Sequence, residues 1–299
     1  MPEIPATTFP KVLRRLWGLS EPATRCERFS NALGRPAVHQ RVRTHRGDYW
    51  ICAETGQLVR DRFPERAEDQ SDSYDEDWRA YLAKGGLPER DLAKRREFLK
   101  GFERYRRTGR LFEVGCGVGK ILKAAVEAGW RANGNELSPI AAGAARAFSG
   151  ASVRVGPIER IDLDRGVHDL ILINDVFEHL EDPRAVILKL AAALRPGGAL
   201  FLQTLNAQSL SLYFNPLRWS YYEDGHLFMP TLVSLGHYFK AAGLRVVRLE
   251  THSFSTQTTQ KDRSRSWMRS KLDKVVSTLA GRLDLGHRVK VLLEREAGV

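Results

Sequence analysis

The sequence predicts an α/β chain: a doubly wound, mostly parallel sheet of seven strands with small additions at the amino and carboxyl ends. Three observations predict it. From Leu111, short apolar runs alternate with stretches of helical periodicity. The central run VHDLILIND is unbroken and apolar, as a strand buried on both faces requires. Proline opens and glycine closes the helical stretches, which fixes where each ends. The composition agrees, since 299 residues at 42% apolar and 28% charged exclude a disordered or collagen-like chain. No run approaches the roughly 18 apolar residues of a membrane-spanning helix. The opening MPEIPATTFP lacks the basic-then-apolar order of a secretory signal, so a cytoplasmic location is expected. Three scattered cysteines, Cys26, Cys52 and Cys116, are expected to be free thiols.

In chain order, RLFEVG is the first strand, GKILKAAVEAG the first helix, WRANGNE the second strand, SPIAAGAARAFSG the second helix and ASVRVG the third strand. Asp169 is expected to open the fourth strand and Asp175 to close it, at a carboxyl end where open parallel sheets seat their ligands. In DPRAVILKLAAALRPGG, Pro183 suits a first helical turn, apolar spacing runs through Leu194, and Pro196-Gly197-Gly198 stops the helix. ALFLQTLN is the fifth strand, TLVSLGHYFKAAG a helix, LRVVRLE a strand and HRVKVLLERE the last strand. The reading divides the chain into a ribbon-like basic segment over residues 1–80, a core over 81–250, and a basic amphipathic insertion with the final strand over 251–299.

The run Glu113-Val114-Gly115-Cys116-Gly117-Val118-Gly119 lies where the first strand turns into its helix. A dinucleotide loop has a third glycine where this chain has Lys120, and it seats a pyrophosphate at the helix N-terminus. Here an acid, Glu113, ends the strand instead. An acid repels phosphate and attracts an ammonium group, which favours a zwitterionic nucleoside ligand. Twenty-three residues on, Glu136 ends the second strand, where a carboxylate can accept from both hydroxyls of a ribose.

On these residues the sequence resembles class I S-adenosylmethionine-dependent methyltransferases, which have a Rossmann-like sheet, over roughly residues 108–250. FEVGCGVGK resembles the first motif, GNELSP the segment after strand two, INDVFEHLEDP the fourth-strand motif and LRPGGALFLQT the segment into strand five. The EHL and PGG signatures look most like the ubiquinone-biosynthesis and sugar O-methyltransferase branch. The resemblance implies S-adenosylmethionine as cofactor. Glu113, Gly115, Cys116, Gly117 and Gly119 then surround its methionine part, Glu136 and Leu137 the ribose, Pro157 and Ile158 the adenine, and Asn174 ends the adjoining strand. Family members often carry an acid where Pro157 stands, which leaves the adenine to backbone and Ile158. The function implied is O-methylation of a small-molecule or glycan-type acceptor.

Methyl transfer is an in-line displacement at a sulfonium carbon, so positioning and desolvation do most of the work. A hydroxyl acceptor also needs a base, and His179 and His226 are the candidate imidazoles, with Asp175 a third catalytic candidate. Asp175, Glu178 and His179 lie within five residues and could share a divalent cation, although no metal is expected. The irregular NAQSLSLYFNPLRWSYYEDGHLF follows strand five at the end of the sheet where acceptors bind. Trp219, Tyr221 and Tyr222 are therefore expected beside the acceptor.

The net charge of +11 sits at the ends: residues 1–110 carry +6, 111–250 none and 251–299 +5. DYWICAETGQLV reads as a hairpin turning at Thr55-Gly56. Sugar-methyltransferase relatives carry a two-knuckle zinc ribbon in this region. Here one cysteine of each pair survives, Cys26 and Cys52, so a metal-free remnant is expected unless His39 or His45 completes a site. SRSWMRSKLDKVVSTLAGRL and the shorter KVLRRLWGL are basic and amphipathic, suited to docking on the domain or to peripheral contact with an anionic membrane. Two rival functions are a nucleic-acid methyltransferase and a scaffold that binds the cofactor without catalysis. Asn174-Asp175-Val176-Phe177 lacks the Asn/Asp-Pro-Pro-aromatic clamp of adenine methylation, and no nucleic-acid partner is expected.

Overall fold

The computed structural model describes residues 24–26, 32–35, 37–63, 68–83, 89–214, 216–223, 225–252 and 280–296. Strands β1 (Thr24–Cys26), β2 (Ala37–Thr44), β3 (Gly47–Cys52) and β4 (Leu58–Arg60) form an antiparallel meander. The expected hairpin joins β3 to β4. Gly56 takes a positive φ of 72° there, and its N–H donates to the Cys52 carbonyl. Helices α1 (Glu68–Ala83) and α2 (Glu89–Lys100) follow. The periodic region then gives β5 (Arg110–Val114), α3 (Lys120–Glu127), β6 (Arg131–Glu136), α4 (Pro139–Ser149), β7 (Ser152–Val155), β8 (His168–Asn174), α5 (Pro183–Ala193) and β9 (Leu194–Leu205). After these come α6 (Leu210–Phe214), β10 (Phe228–Met229), α7 (Leu232–Ala241), β11 (Leu244–His252) and β12 (Arg288–Arg295).

The second sheet has seven strands in the order β11-β12-β9-β8-β5-β6-β7. Only β12 runs antiparallel to its neighbours, so the sheet is mostly parallel, as the sequence predicts. Winding outward from β5 in both directions puts the reversal of strand order between β5 and β8, and a crevice opens at the carboxyl ends there. Buried residues on one face of the sheet include Leu99, Leu122, Leu170 and Phe201, beneath α2, α3 and α4. The other face buries Ile171, Val186, Leu235 and Val291 beneath α5 and α7. Local chemistry sets the helix starts. Ser138 accepts from Ala141 N–H before Pro139, Asp182 accepts from Ala185 N–H before Pro183, and Thr231 exchanges bonds with Ser234 at α7.

The structure departs from the sequence reading at several elements. Strand β9 begins at Leu194, not Ala199, because Pro196-Gly197-Gly198 forms a bulge instead of a loop. Leu194 pairs with His168 and Ala199 with Leu170, so Asp169 alone faces the residues between. A Cβ on Gly198 would lie 2.8 Å from the His168 carbonyl oxygen, so only glycine fits. Helices α1 and α2 arise from charged stretches for which the sequence suggested no structure. The antiparallel sheet also recruits β10, which pairs with β4, so the 1–80 segment is fastened to the core by the aromatic insertion.

Several expectations fall outside the described residues: the KVLRRLWGL stretch, the Trp267 to Leu279 amphipathic run and the Cys26 side chain. His39 and His45 have Nδ1 on the carbonyls of Ala37 and Leu217, at 3.0 and 3.1 Å. Among the described residues, no helix is long and apolar enough to cross a membrane.

Asp169 locks the amino-terminal edge of the sheet. It is fully buried and accepts from the N–H groups of Arg107, Thr108 and Gly109 at 2.8, 2.7 and 2.7 Å, and from Arg195. Burial would raise its carboxyl, but the Arg195 guanidinium and these N–H groups outweigh it and hold it below the usual carboxylate range. Asp169→Ala strands Arg195 and is expected to lower the unfolding free energy by about 3 kcal/mol in urea melts at neutral pH. A depressed carboxylate stabilises above its unfolded pKa, so the gap between wild type and variant should close as pH falls through the folded value.

Candidate active site

A cavity of about 600 Å³ occupies the crevice, within the size range of small-molecule sites. Its floor is the glycine turn after β5. Gly115, Gly117 and Gly119 have φ of 61°, 53° and 79°, a region that side chains other than glycine rarely adopt. A Cβ on Gly115 would meet Val176 Cγ2 at 2.5 Å, and one on Gly119 would meet Ala145 Cα at 3.0 Å. Gly115, Cys116 and Gly117 line the cavity, whereas Gly119 caps α3 and lets α3 pack on α4.

Glu136 closes the turn. Its Oε2 accepts Gly117 N–H at 2.8 Å and its Oε1 accepts Ser138 N–H at 3.0 Å. Each oxygen keeps a further acceptor site, an arrangement matched to the two hydroxyls of a ribose. Burial raises the Glu136 carboxyl, against the lowering effect of the two N–H groups. Three buried polar atoms in the cavity wall, Glu113 Oε2, Asn135 Oδ1 and Asn174 Nδ2, have no hydrogen-bond partner among the described residues. Two acceptors and a donor left open in one cavity are a ligand's complement. Burial pushes the Glu113 carboxyl up to about 8, opposed by Arg95 and reinforced by Glu136. Leu137, Pro157 and Ile158 line the same end, and the Asn135 amide donates to the Gly156 carbonyl at 3.0 Å, fixing that loop.

The other end of the cavity holds His179 and Asp175. His179 Nδ1 lies 2.8 Å from the Gly225 carbonyl and 3.1 Å from the Tyr74 hydroxyl, so Nδ1–H is the donor and Nε2 keeps its lone pair. Burial lowers its pKa, with Glu178 acting in the opposite direction. His226 is not in the wall. It is 5% exposed, its ring centre lies 4.8 Å from that of His179, and its Nδ1 is 2.8 Å from the Tyr221 carbonyl. Glu178, His179 and His226 place one ligand-type atom each within 4.8 Å of one another, a set able to hold a divalent cation. Asp175 does not join that set. Its carboxylate accepts from Arg288 at 2.6 Å and from the Gln203 amide at 3.0 and 3.1 Å.

The aromatics expected beside the acceptor lie elsewhere. Trp219 and Tyr222 are 2% and 1% exposed. Together with Tyr49, Ile51 and Leu58 they form the core that joins the two sheets, the ring centres of Tyr49 and Tyr222 being 5.0 Å apart. Trp219 Nε1 donates to Ser211 and the Tyr222 hydroxyl to the Pro216 carbonyl. Tyr221 stacks on His287 at 4.8 Å and is also outside the wall. The aromatic lining comes instead from Tyr74, Trp78 and Tyr81 of α1, with Phe98 of α2 and Phe201 of β9. The signal for the first three was present in the sequence: they are spaced four and three apart, one stripe of a helix. Trp78 covers Gly117, and Asp75 accepts a hydrogen bond from the Ser138 hydroxyl, so α1 is fastened across the glycine-turn end of the cavity.

A family model described as a methyltransferase domain matches residues 86–249, more than half of the chain. The chain belongs to the methyltransferase-domain family. It is 33% identical over 111 residues to a ubiquinone biosynthesis O-methyltransferase of Bordetella avium, covering 35% of this chain and 46% of that protein. It is 28% identical over 179 residues to one of Xanthomonas campestris, covering 55% and 72%. The match thus spans under half the length of the first relative. In fold it is similar to a SAM-dependent methyltransferase of Archaeoglobus fulgidus, with TM-score 0.51, 17% identity and coverage of 74% of this chain and 98% of that one.

The residues present fit S-adenosylmethionine. Glu136 would meet the sugar diol, the open Glu113 oxygen would meet an ammonium, and Asn135 and Asn174 would supply an acceptor and a donor. At pH 7 the raised Glu113 carboxyl holds a proton, which an arriving ammonium would displace. Calorimetry of S-adenosylhomocysteine binding in buffers of different ionisation enthalpy should therefore show proton release near neutral pH, abolished in Glu113→Gln. Glu136→Gln is expected to weaken the same binding by about tenfold or more, the cost of a charge-assisted hydrogen bond.

Proposed function

We propose that the chain transfers the methyl group of S-adenosylmethionine to an oxygen atom of a small-molecule acceptor, with His179 as general base. One observation carries the choice of base: His179 reaches the cavity with its Nδ1 committed to the Gly225 carbonyl, which leaves Nε2 to take a proton. The name of the relatives, O-methyltransferase, supports oxygen as the methylated atom. When bound, S-adenosylmethionine supplies an electrophilic methyl group whose bond to sulfur breaks as the bond to oxygen forms, the sulfur keeping the electron pair. The protein's part is to hold the acceptor oxygen in line with that bond, exclude water and receive the acceptor proton at His179 Nε2.

His226 stands behind His179, and Tyr74 beside it, as positioning residues. Asp175 is engaged by Arg288 and the Gln203 amide, and its role here is to orient them. Phe98 and Phe201, with ring centres 5.0 Å apart, wall the acceptor end and favour a flat, largely apolar acceptor over a glycan. The basic segment that would carry a membrane contact lies outside the described residues.

His179→Ala is expected to cut kcat by about 10²- to 10⁴-fold while S-adenosylhomocysteine affinity is unchanged. Because burial lowers the His179 pKa, the base is already free at neutral pH. The rising limb of kcat should therefore lie below the ordinary imidazole value of about 6.5, with a plateau above it. Equal loss of turnover and cofactor affinity in His179→Ala, or a limb that persists in the variant, would sink the assignment.

A further inference from the structure

Between the last residue of β8 and the single helical turn Phe177–His179 stands Asp175, whose backbone takes a positive φ of 54°. Among the described residues, Asp284 is the other non-glycine residue with a positive φ. That left-handed region is strained for any residue with a Cβ, so it persists only where neighbours impose it. Two strands impose it here. From β9, the Gln203 carbonyl accepts the Asp175 N–H at 2.9 Å, and the Gln203 amide donates to both carboxylate oxygens at 3.0 and 3.1 Å. From β12, Arg288 donates to the same carboxylate at 2.6 Å, the ion pair of the set.

The kink decides what the following residues face. Val176 lands against Gly115 of the glycine turn, Phe177 enters the core beside Tyr238, the Glu178 carboxylate accepts from the Thr204 hydroxyl at 2.8 Å, and His179 reaches the cavity. An extended Asp175 would rotate this whole set about the strand and carry the imidazole away from the cavity. Gly225 and Tyr74 hold the His179 ring, but the path of the chain through Asp175 sets where its Cα stands. We infer that Arg288, which is not among the residues lining the cavity, is a positioning residue: it holds the left-handed turn at Asp175 and thereby places His179, an inference that rests on His179 being the base. A mere tie between strands would need no strained backbone, since β12 is already fixed by its ladder to β9. Arg288 also stands near Glu178, so its loss leaves two acids of one short segment without their shared cation.

The test is NMR of the full chain carrying histidine labelled with carbon-13 at Cε1, saturated with S-adenosylhomocysteine, the His179 signal being assigned by its loss in His179→Gln. Arg288→Met is expected to displace or split that signal. The signals of buried His39, on the other sheet, and of His168, at the opposite end of β8, should stay in place as the sign of an intact fold. Arg288→Lys restores a cation and should bring the His179 signal most of the way back. The backbone is tested separately. Asp175→Asn keeps an acceptor and tolerates the left-handed region, so it should retain the wild-type signal, whereas Asp175→Ala should lose it. A His179 signal that is unchanged in Arg288→Met, or that moves equally in Asp175→Asn and Asp175→Ala, overturns the inference. If Arg288→Met also loses the His168 signal, the Asp175 pair decides alone. Because the readout is the place of the imidazole and not turnover, it fails separately from the base assignment, which falls if His179→Ala keeps its kcat.

Discussion

The glycine-turn end of the cavity depends on one buried carboxylate. Glu136 sits at the last residue of β6, and its two oxygens take the N–H of Gly117 from one turn and of Ser138 from the next. A buried acid is costly unless its charge is met, and here it is met by backbone donors at the starts of α3 and α4. The carboxylate therefore sets the spacing between two loops as well as offering itself to a ligand. The positive φ values of the glycine turn follow from this, since only that backbone path aims the Gly117 N–H at β6 while leaving room for Val176 and Ala145 behind.

Much of this was legible because the information is local. An unbroken apolar run such as Leu170 to Ile173 can only be a strand covered on both faces, and Ser138-Pro139 and Asp182-Pro183 mark helix starts by chemistry confined to four residues. The glycine turn, Glu113 and Glu136 were read from spacing alone, and they converge on one cavity.

What the sequence did not disclose depends on distant partners. The count of aromatics between Asn206 and Phe228 marked an unusual segment, yet Trp219 and Tyr222 are claimed by Tyr49, some 170 residues earlier, to join two sheets. Asp175 reads as a catalytic acid beside Glu178 and His179 until Arg288, 113 residues away, is brought against it. Tyr74, Trp78 and Tyr81 lie in a stretch so acidic that its helical stripe was masked by its charge. Their helix touches both ends of the cavity: Trp78 lies over Gly117 and Tyr74 against His179, so the same element covers the glycine turn and braces the histidine.

One residue of the glycine turn bears on the safety of the chemistry. Cys116 lines the cavity with a thiol that burial, then Glu113 and Glu136, push far above its ordinary pKa. A sulfonium is an alkylating agent, and a thiolate is the nucleophile it would attack first. A thiol held protonated there would resist alkylation by a sulfonium bound in the cavity. The same protonation should make the pocket indifferent to iodoacetamide and to peroxide.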